Sequence, residues 1–232
     1  MIKIDNAVTP SGEQWEAVIH GCRHPFESYD KSDSKWNSSY DFLDNDHQVV
    51  KVTDNFIIGA SDMALLQKLA NAGDDHGKFM RMLPVMADIT APLTFWKQLD
   101  QYKVGTVTDS QSTMHCIHKK EFELSDFEYY DMDSEALSTL HDVIKELNRC
   151  RSMYNMTKDN IYWNSMISLL PESYLQTRLW YGNYQVLKHI YKAREGHKLL
   201  EWRVFRAWIT TLPYSSLITG GIGTNGNEDK KT

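Results

Sequence analysis

Hydrophobic residues recur along most of this chain with the three-to-four-residue spacing of amphipathic helices. The clearest apolar face is formed by Leu137, Leu140, Ile144 and Leu147, on a helix that begins at Ser134. The seven predicted helices begin near Gln14, Ser61, Pro92, Ser134, Asp159, Leu175 and His197. The pattern therefore predicts a mostly helical protein.

Shorter patterns predict strands. The segment Met82–Ile89 is apolar at nearly every position and too short for a typical buried helix, which favours a buried strand. We also expect a short strand at Ile2–Ile4 and a weak strand pair at Ser112–His118 and Glu121–Leu124. The polar segment Cys22–Asn45 is rich in turn-forming residues and is predicted to be a loop, whose role the sequence leaves open.

Together these elements predict the fold class α/β (α+β), a mostly helical single domain with a modest central sheet. The domain is expected to span residues 1–219. Glycine and polar residues dominate 220–232, which predicts a disordered tail.

Composition and charge narrow the function classes. A formal net charge of -6 argues against general nucleic-acid binding, because phosphate neutralisation requires a basic face. The three cysteines, Cys22, Cys116 and Cys150, form no CxxC pair, which argues against a structural zinc site and a disulfide framework. Neither a signal peptide nor an apolar run of membrane-spanning length is visible. We therefore expect a cytoplasmic protein without metal, membrane or nucleic-acid partners.

The most informative segment is the predicted helix from Ala91, which runs into a glycine-containing loop dense in hydrogen-bonding side chains. These are Gln98, Tyr102, Lys103, Thr106, Thr108, Asp109, Ser110, Gln111, Ser112 and Thr113. Lys103 is a candidate phosphate ligand, with hydroxyl donors in Thr106, Ser110 and Ser112. A solvated polar loop is the alternative, and composition leaves the two equally open. A P-loop is excluded by the glycine spacing.

A second group of candidates follows on the sixth predicted helix. It consists of Asn183, Gln185, Arg194 and His197. Asn183 and Arg194 are eleven residues apart, about three helical turns, and are expected to share a face. A buried Arg194 would need an anionic ligand or a carboxylate partner, whereas a surface Arg194 would pair with a neighbouring glutamate.

Two sites with histidine are less specific. His76 follows a predicted helix end, where it either bonds terminal carbonyls or faces a cofactor. His115 and His118 flank Cys116, but alternation along the predicted strand puts Cys116 and His115 on opposite faces. A shared metal is therefore not expected there.

Three blocks of the chain, in their order along the sequence, resemble the flavin-dependent thymidylate synthase (ThyX-like) family. The resemblance is to a divergent branch of that family found in Gram-positive bacteria and their phages. Leu65–Phe79 resembles a helix followed by a Gly-His-x-x-x-Phe-type turn. Ala91–Thr113 resembles the Ala-Pro…Gln segment that leads into the signature Arg-His-Arg-x-x-Ser loop. Leu170–Glu201 resembles the Leu-Pro…Tyr-Thr start, the Asn-Leu-Arg segment and the terminal Leu-Arg-x-x-x-His block.

The resemblance implies a homotetramer that binds FAD, is reduced by NADPH, and transfers a one-carbon unit from methylenetetrahydrofolate to dUMP. The residues that would orient this or another pyrimidine deoxynucleotide are Gln98, Asp109, Gln111, Ser112 and Arg194. Among them Gln98, Asp109 and Arg194 take the catalytic positions. The residues implied near the flavin are His76, Tyr102, Lys103, Thr106, Asn183 and His197. Their role would be positioning and electrostatics rather than covalent attack.

The chain also departs from the family pattern. Gln101-Tyr102-Lys103 stands for Arg-His-Arg, and Thr113 stands for the arginine that closes the loop. Ile167 and Gln185 stand where the family has two further arginines. A catalytically degenerate member that binds a nucleotide or a protein is therefore the alternative function. Whether a base would be methylated, hydroxymethylated or only bound stays open.

Overall fold

The computed structural model describes residues 2–43 and 48–221. Their strands are β1 (Lys3–Val8), β2 (Lys35–Leu43), β3 (Gln48–Ile57), β4 (Pro84–Pro92), β5 (Val107–Ser110) and β6 (Leu175–Asn183). Their α-helices are α1 (Gly12–Arg23), α2 (Ala60–Asn71), α3 (Leu93–Leu99), α4 (Thr113–Cys116), α5 (Ser134–Thr157), α6 (Asn160–Leu169), α7 (Tyr184–Ala193), α8 (Leu200–Thr211) and α9 (Ser216–Thr219). The predicted fold class, mostly helical with a modest sheet, is confirmed. Most of the predicted polar tail, 222–232, lies outside the described residues.

Four of the strands form one sheet in the order β1-β4-β6-β5, and β2 and β3 form a separate antiparallel pair. Burial alternates along strand β4: Val85, Ala87 and Ile89 are fully buried, and the residues between them are half-buried. The hydroxyls of Thr90 on β4 and Thr177 on β6 lie 2.7 Å apart on the less buried side. The sheet thus has a covered face and a second face, called here the open face, which carries Thr90 and Thr177.

The chain divides into two compact units, each described by itself. Within the described residues, the first comprises 2–7, 87–181 and 197–205, and the second comprises 8–43, 48–86, 182–196 and 206–221. In the first unit, aromatic rings of α3, β6 and α8 pack together, with 4.7 Å between the ring centroids of Phe95 and Trp202 and 6.0 Å between those of Trp180 and Phe205. All four side chains are essentially inaccessible to water.

A second apolar cluster in the first unit forms where α5 packs on α6. The predicted face of α5 is largely confirmed, because Leu140, Ile144 and Leu147 are buried. They pack with Met166 of α6 and with Phe127 from the preceding loop. This cluster supports one wall of the site described below.

The second unit is organised by buried polar as well as apolar contacts. The Trp15 ring of α1 packs edge-on against Tyr184 of α7 and Tyr214, at 5.4 and 5.0 Å between ring centroids. Arg23 at the end of α1 forms a buried ion pair with Asp62 of α2. Gly59 is the N-cap of α2, so the predicted cap at Ser61-Asp62 was wrong by two residues.

The predicted sixth helix was wrong in its first half. Residues Leu175–Asn183 form strand β6, and only Tyr184–Ala193 is helical. Leu175 and Leu179 are spaced equally well for one face of a helix or one face of a strand, because four residues is both about one helical turn and two strand repeats. Long-range pairing decides the outcome: β6 lies between β4 and β5.

Two further predictions of local structure were wrong. Residues Thr113–Cys116 form a short helix rather than a strand, and Leu124–Asp126 form a 3-10 turn. The predicted loop Cys22–Asn45 contains two 3-10 turns and the strand β2, which pairs with β3 from Lys35↔Ile57 onward. Both errors follow from reading these segments locally, since their conformation is set by residues distant in sequence.

Candidate functional site

The site that the sequence indicated lies in the first unit, around the loop that follows β5. A cleft of about 440 Å³ opens there, and Gln111, Ser112 and Thr113 form one of its walls. Its volume falls in the range of small-ligand pockets, roughly 300–1,000 Å³. The structure thus brings two predicted substrate-binding residues, Gln111 and Ser112, to one concave surface.

Hydrogen bonds from two directions hold this loop. Strand β5 pairs antiparallel with β6, and the Gln111 amide extends the ladder by donating to the Thr177 carbonyl at 3.0 Å. From the buried side, the Gln176 amide nitrogen donates to the Gln111 carbonyl at 2.8 Å and to the Thr113 hydroxyl at 3.2 Å. The Ser112 hydroxyl accepts from the His115 amide and caps the short helix α4. The loop is therefore anchored, not merely solvated.

Another part of the cleft lining is aromatic. Phe127 and Tyr174 pack edge-on at 5.7 Å, and the Phe122 ring lies 6.4 Å from each of them. Asn148 of α5 fixes this wall, because its side chain bonds both the amide and the carbonyl of Phe122 at 2.9 Å. Burial raises the pKa of Tyr174, so its hydroxyl stays protonated at neutral pH. Phe122 and Phe127 are buried, so Tyr174 is the one ring of the three that is partly exposed.

Charges around the cleft nearly balance. Lys3 and Lys120 line it together with Glu121 and Asp126. Lys120 pairs with Asp126 at 2.9 Å, and this hydrogen bond raises the pKa of the lysine. An anionic ligand in this cleft would therefore need hydrogen-bond donors from the cleft wall as well as the lysines.

Asp109 lies beside the cleft on the open face of the sheet. It pairs with Leu179 across the β5–β6 ladder and lines a shallow depression with Asp88 and Thr177. Gln111 and Thr177 border both this depression and the cleft. Asp88 accepts a hydrogen bond from Asn6 of β1 at 2.8 Å. Asp109 thus offers a carboxylate next to the cleft.

Lys103 and Thr106 line a third concavity, of about 310 Å³, on the covered side of β5 and β6. Gly105 adopts a φ of +76° in the turn that leads from Lys103 into β5. The Thr106 hydroxyl donates to the Tyr102 carbonyl, so it presents lone pairs rather than a proton to a ligand. Ser110 and Ser112 line the other two concavities. Lys103 and the two serines therefore do not converge on one phosphate in this arrangement.

Three other predicted residues gather around a single indole. The Trp202 Nε1 of α8 donates to Gln98 Oε1 at 2.9 Å. The rings of Tyr102 and His197 lie 6.2 and 6.0 Å from the Trp202 ring. Trp202 itself is fully buried. The structure thus joins Gln98, Tyr102 and His197 through a residue that the sequence reasoning missed.

The remaining predicted residues belong to the second unit. Asn183 is buried and caps α7, because its Oδ1 accepts from the Val186 amide at 3.0 Å. Arg194 is the C-cap of the same helix, and His76 is exposed next to the 3-10 helix Gly77–Met82. Asn183 and Arg194 thus lie at the two ends of α7 as its caps, and not within the longer helix that the sequence predicted. Gln185 donates to Asp74 at 2.8 Å.

The histidine and cysteine cluster also differs from expectation. His115 and Cys116 lie on the helical turn α4, so strand alternation does not separate them. Cys116 lines the cleft and is half-buried. Within residues 2–43 and 48–221, no three His, Cys, Asp or Glu side chains are grouped to hold a metal ion. Nor does any helix in these ranges combine the length and hydrophobicity that crossing a membrane requires.

Arg178, Gln176 and Asn148 were also missed by the sequence reasoning. Each acts through a long-range contact: Arg178 with Asp100, Gln176 with the 111–113 loop, and Asn148 with Phe122. Gln176 and Arg178 are two residues apart, so they lie on one face only if 175–183 is a strand. The sequence could therefore have indicated their contact only after this segment was assigned as a strand.

No model of a known protein family and no curated protein matches this sequence. Among the solved structures that match its fold, two do so over nearly their whole length. A crystal structure of thymidylate synthase X (ThyX) from Helicobacter pylori with FAD and dUMP gives a TM-score of 0.64 at 13% identity, covering 94% of this chain and 96% of that one. A second structure of the flavin-dependent enzyme from the same organism, also with FAD and dUMP, gives 0.59 at 15% identity, covering 93% and 95%. The chain therefore has the fold of these flavin-dependent thymidylate synthases.

Proposed function

We propose that this chain is a flavin-dependent thymidylate synthase or a close relative, which binds dUMP or another pyrimidine deoxynucleotide in the cleft beside Gln111 and Ser112. The observation that carries the proposal is the full-length fold match to two ThyX structures that hold FAD and dUMP. The cleft supports it, because its wall includes Thr113, which stands where the family's signature loop closes. The divergent branch of Gram-positive bacteria and their phages, and the cytoplasm of such cells, belong to the same proposal.

The cleft residues have chemistry suited to a pyrimidine nucleotide. Gln111 and Ser112 offer an amide and a hydroxyl on one wall, and Tyr174 offers a partly exposed ring against which a base can pack. The protonated Tyr174 hydroxyl can both donate and accept a hydrogen bond. In our proposal Asp109, Gln98 and Arg194 complete the orientation of the nucleotide. They position the substrate and stabilise developing charge, with no covalent attack by the protein.

The residues present could hold a flavin nucleotide, but with fewer unpaired positive charges than the family pattern has. Lys103 supplies one ammonium in the third concavity, whereas Arg178 in the same concavity is already paired with Asp100. We assign Tyr102, Lys103, Thr106 and His197, together with His76 and Asn183, to the surroundings of FAD. When bound, FAD would relay reducing equivalents from NADPH for one-carbon transfer from methylenetetrahydrofolate. A homotetramer is part of the proposal.

The visible absorption spectrum of the purified protein tests this function. We expect flavin bands, either as purified or after incubation with FAD and removal of the excess. Calorimetry should then show saturable binding of dUMP, and expression should restore growth of a thymidine-requiring strain. A colourless protein that takes up no FAD contradicts the proposal.

A catalytically degenerate nucleotide-binding protein is the second candidate, and two observations favour it. Gln101, which stands for a signature arginine, turns its amide back to the Lys97 carbonyl of α3 at 3.1 Å. Ile167, which stands for another family arginine, packs against the apolar cluster of α5 and α6. Neither side chain supplies charge to a ligand. Binding of dUMP without growth of the thymidine-requiring strain, with soluble protein present, would select this candidate.

A further inference from the structure

A chain of polar contacts runs from the covered face of the sheet to the cleft wall. It begins at Asp100, just after α3, whose carboxylate accepts two hydrogen bonds from Arg178 at 3.1 and 3.2 Å. The Arg178 guanidinium also lies 4.4 Å from the ring centroid of Trp96 and donates from Nε to Gln176 Oε1 at 3.0 Å. Gln176 completes the chain by donating to the loop at Gln111 and Thr113.

The direction of these hydrogen bonds is chemically determined. An arginine side chain only donates, so the oxygen of the Gln176 amide must face Arg178. The amide nitrogen then necessarily faces the loop, where the Gln111 carbonyl can only accept. Arg178 thereby fixes which end of the Gln176 amide meets the cleft wall.

Burial makes this orientation consequential. Gln176 is 7% exposed, and the side chain of Arg178 is 15% exposed. If this buried amide turned over, its oxygen would face the Gln111 carbonyl and its nitrogen would face the guanidinium. The first contact would join two acceptors and the second two donors, so neither could form a hydrogen bond. The Trp96 ring and the Asp100 carboxylate hold the guanidinium in one plane, so it cannot follow such a turn.

We propose that Arg178 is a positioning residue for the nucleotide cleft: it locks the Gln176 amide, which holds the 111–113 loop so that Gln111 and Ser112 face the ligand. This inference rests on the proposed function for its effect on dUMP, but the loop anchoring itself does not. Displacement of the loop by about 1 Å is enough to weaken a binding or catalytic geometry strongly.

Gln176→Glu is the sharpest probe, because it preserves the shape of the side chain. One carboxylate oxygen still accepts from Arg178, but the other faces the Gln111 carbonyl without a proton. We expect amide hydrogen exchange in 111–116 to accelerate, and the KM for dUMP to rise by about tenfold, the scale of one lost buried hydrogen bond. The affinity for FAD should change less than twofold, since the loop lines the nucleotide cleft.

Arg178→Met keeps the experiment decisive if the glutamate variant folds poorly. It leaves the Gln176 amide unrestrained, so hydrogen exchange in 111–116 should accelerate and the KM for dUMP should rise as in Gln176→Glu. Arg178→Lys should show smaller changes in both quantities, because an ammonium still donates to Gln176. Arg149→Met is the matched control. That arginine pairs with Glu146 on the exposed side of α5, and its replacement should alter neither readout.

The outcomes separate the two proposals. If the wild-type protein binds neither FAD nor dUMP, the proposed function fails, and hydrogen exchange alone still tests the anchoring. If Gln176→Glu and Arg178→Met leave exchange in 111–116 and the KM for dUMP at wild-type values, the positioning role is overturned. A rise in the KM for dUMP that Arg178→Lys does not relieve at all also overturns it.

Discussion

Arg23 and Asp62 form a fully buried ion pair in which Arg23 Nε donates to Asp62 Oδ1 at 2.7 Å. The other carboxylate oxygen of Asp62 accepts from the Ser32 hydroxyl at 2.8 Å and from the Ser34 amide at 3.1 Å. The pair thus ties α1 and α2 to the segment between them. A buried charge that loses its partner is costly, because it stays desolvated without compensation.

Asp62→Asn should therefore lower the free energy of unfolding by about 3–5 kcal/mol, the range for breaking a buried ion pair. Urea denaturation measures the change. Asp142→Asn is the control, since Asp142 pairs with Lys145 on the exposed surface of α5. Its replacement should leave the denaturation midpoint unchanged, and an equal shift in both variants would contradict the prediction.

Acid should weaken the same contact. Burial alone raises the pKa of Asp62, but the hydrogen bonds from Ser34, Ser32 and Arg23 together outweigh burial and hold that pKa below its usual 3.8. A carboxyl with a lowered folded-state pKa contributes stability above its unfolded pKa, and this stability is lost as the pH falls through the folded value. The free energy of unfolding should therefore decrease below about pH 4. Urea titrations at several pH values should show a shallower decrease for Asp62→Asn than for the wild type.

The sequence predicted the elements whose local signals agree with their long-range environment. The apolar face of α5, the cap at Asp159 and the buried strand β4 are examples, because spacing, capping chemistry and burial agree in each. Strand β6 could not be predicted in this way. Its leucine spacing suits a helix, and only pairing with β4 and β5 makes it a strand.

The sequence pointed to the loop of the candidate cleft, but not to the residues that anchor it. A dense run of polar side chains marks the 111–113 loop, and the structure gives that loop a cleft. The residues that anchor the loop, Gln176 and Arg178, lie more than sixty positions away in sequence. Contacts of that kind carry no local signal, so single-sequence reasoning misses them.

Cysteine reactivity should report ligand binding in the cleft. Burial raises the pKa of the Cys22 thiol to about 11 and also raises the pKa of Cys150, so both should react slowly with a thiol reagent near pH 8. Cys116 is half-buried on the cleft wall and should react first. Absorbance assays of the released thiolate should show one fast thiol, absent in Cys116→Ser.

Saturating dUMP should slow the fast thiol of the wild type several-fold, because the nucleotide would cover Cys116. Cytidine at the same concentration is the control for nonspecific effects. An unchanged labelling rate at a dUMP concentration that calorimetry shows to be saturating would place the nucleotide outside the cleft.

Lys103→Ala should weaken FAD binding by about 1 kcal/mol, the scale for one exposed charge interaction. Flavin fluorescence titration measures the affinity. Lys119→Ala is the control, since Lys119 is exposed in the loop after α4 and does not line the third concavity. Equal effects of the two substitutions would indicate a general change in surface charge rather than a contact at Lys103.

Arg194→Ala should weaken binding of the deoxynucleotide by about 1–3 kcal/mol, the range for losing a charge-assisted hydrogen bond. Calorimetry with dUMP measures this, and Arg203→Ala on the exposed side of α8 is a matched control. Unchanged affinity in Arg194→Ala would show that Arg194 does not contact the ligand.

The four-residue pairing of β5 with β6 determines by parity which chemical groups face a ligand. Asp109 and Val107 lie opposite Leu179 and Tyr181, whereas Thr108 and Ser110 lie opposite Trp180 and Arg178. A slip of one residue would exchange these two sets, turning the carboxylate toward the aromatic interior and hydroxyls toward the open face. The number of residues between Gly105 and Gln111 therefore matters more to the site than the identity of any one side chain. One inserted residue would change the facing of all four β5 side chains, whereas a substitution changes one.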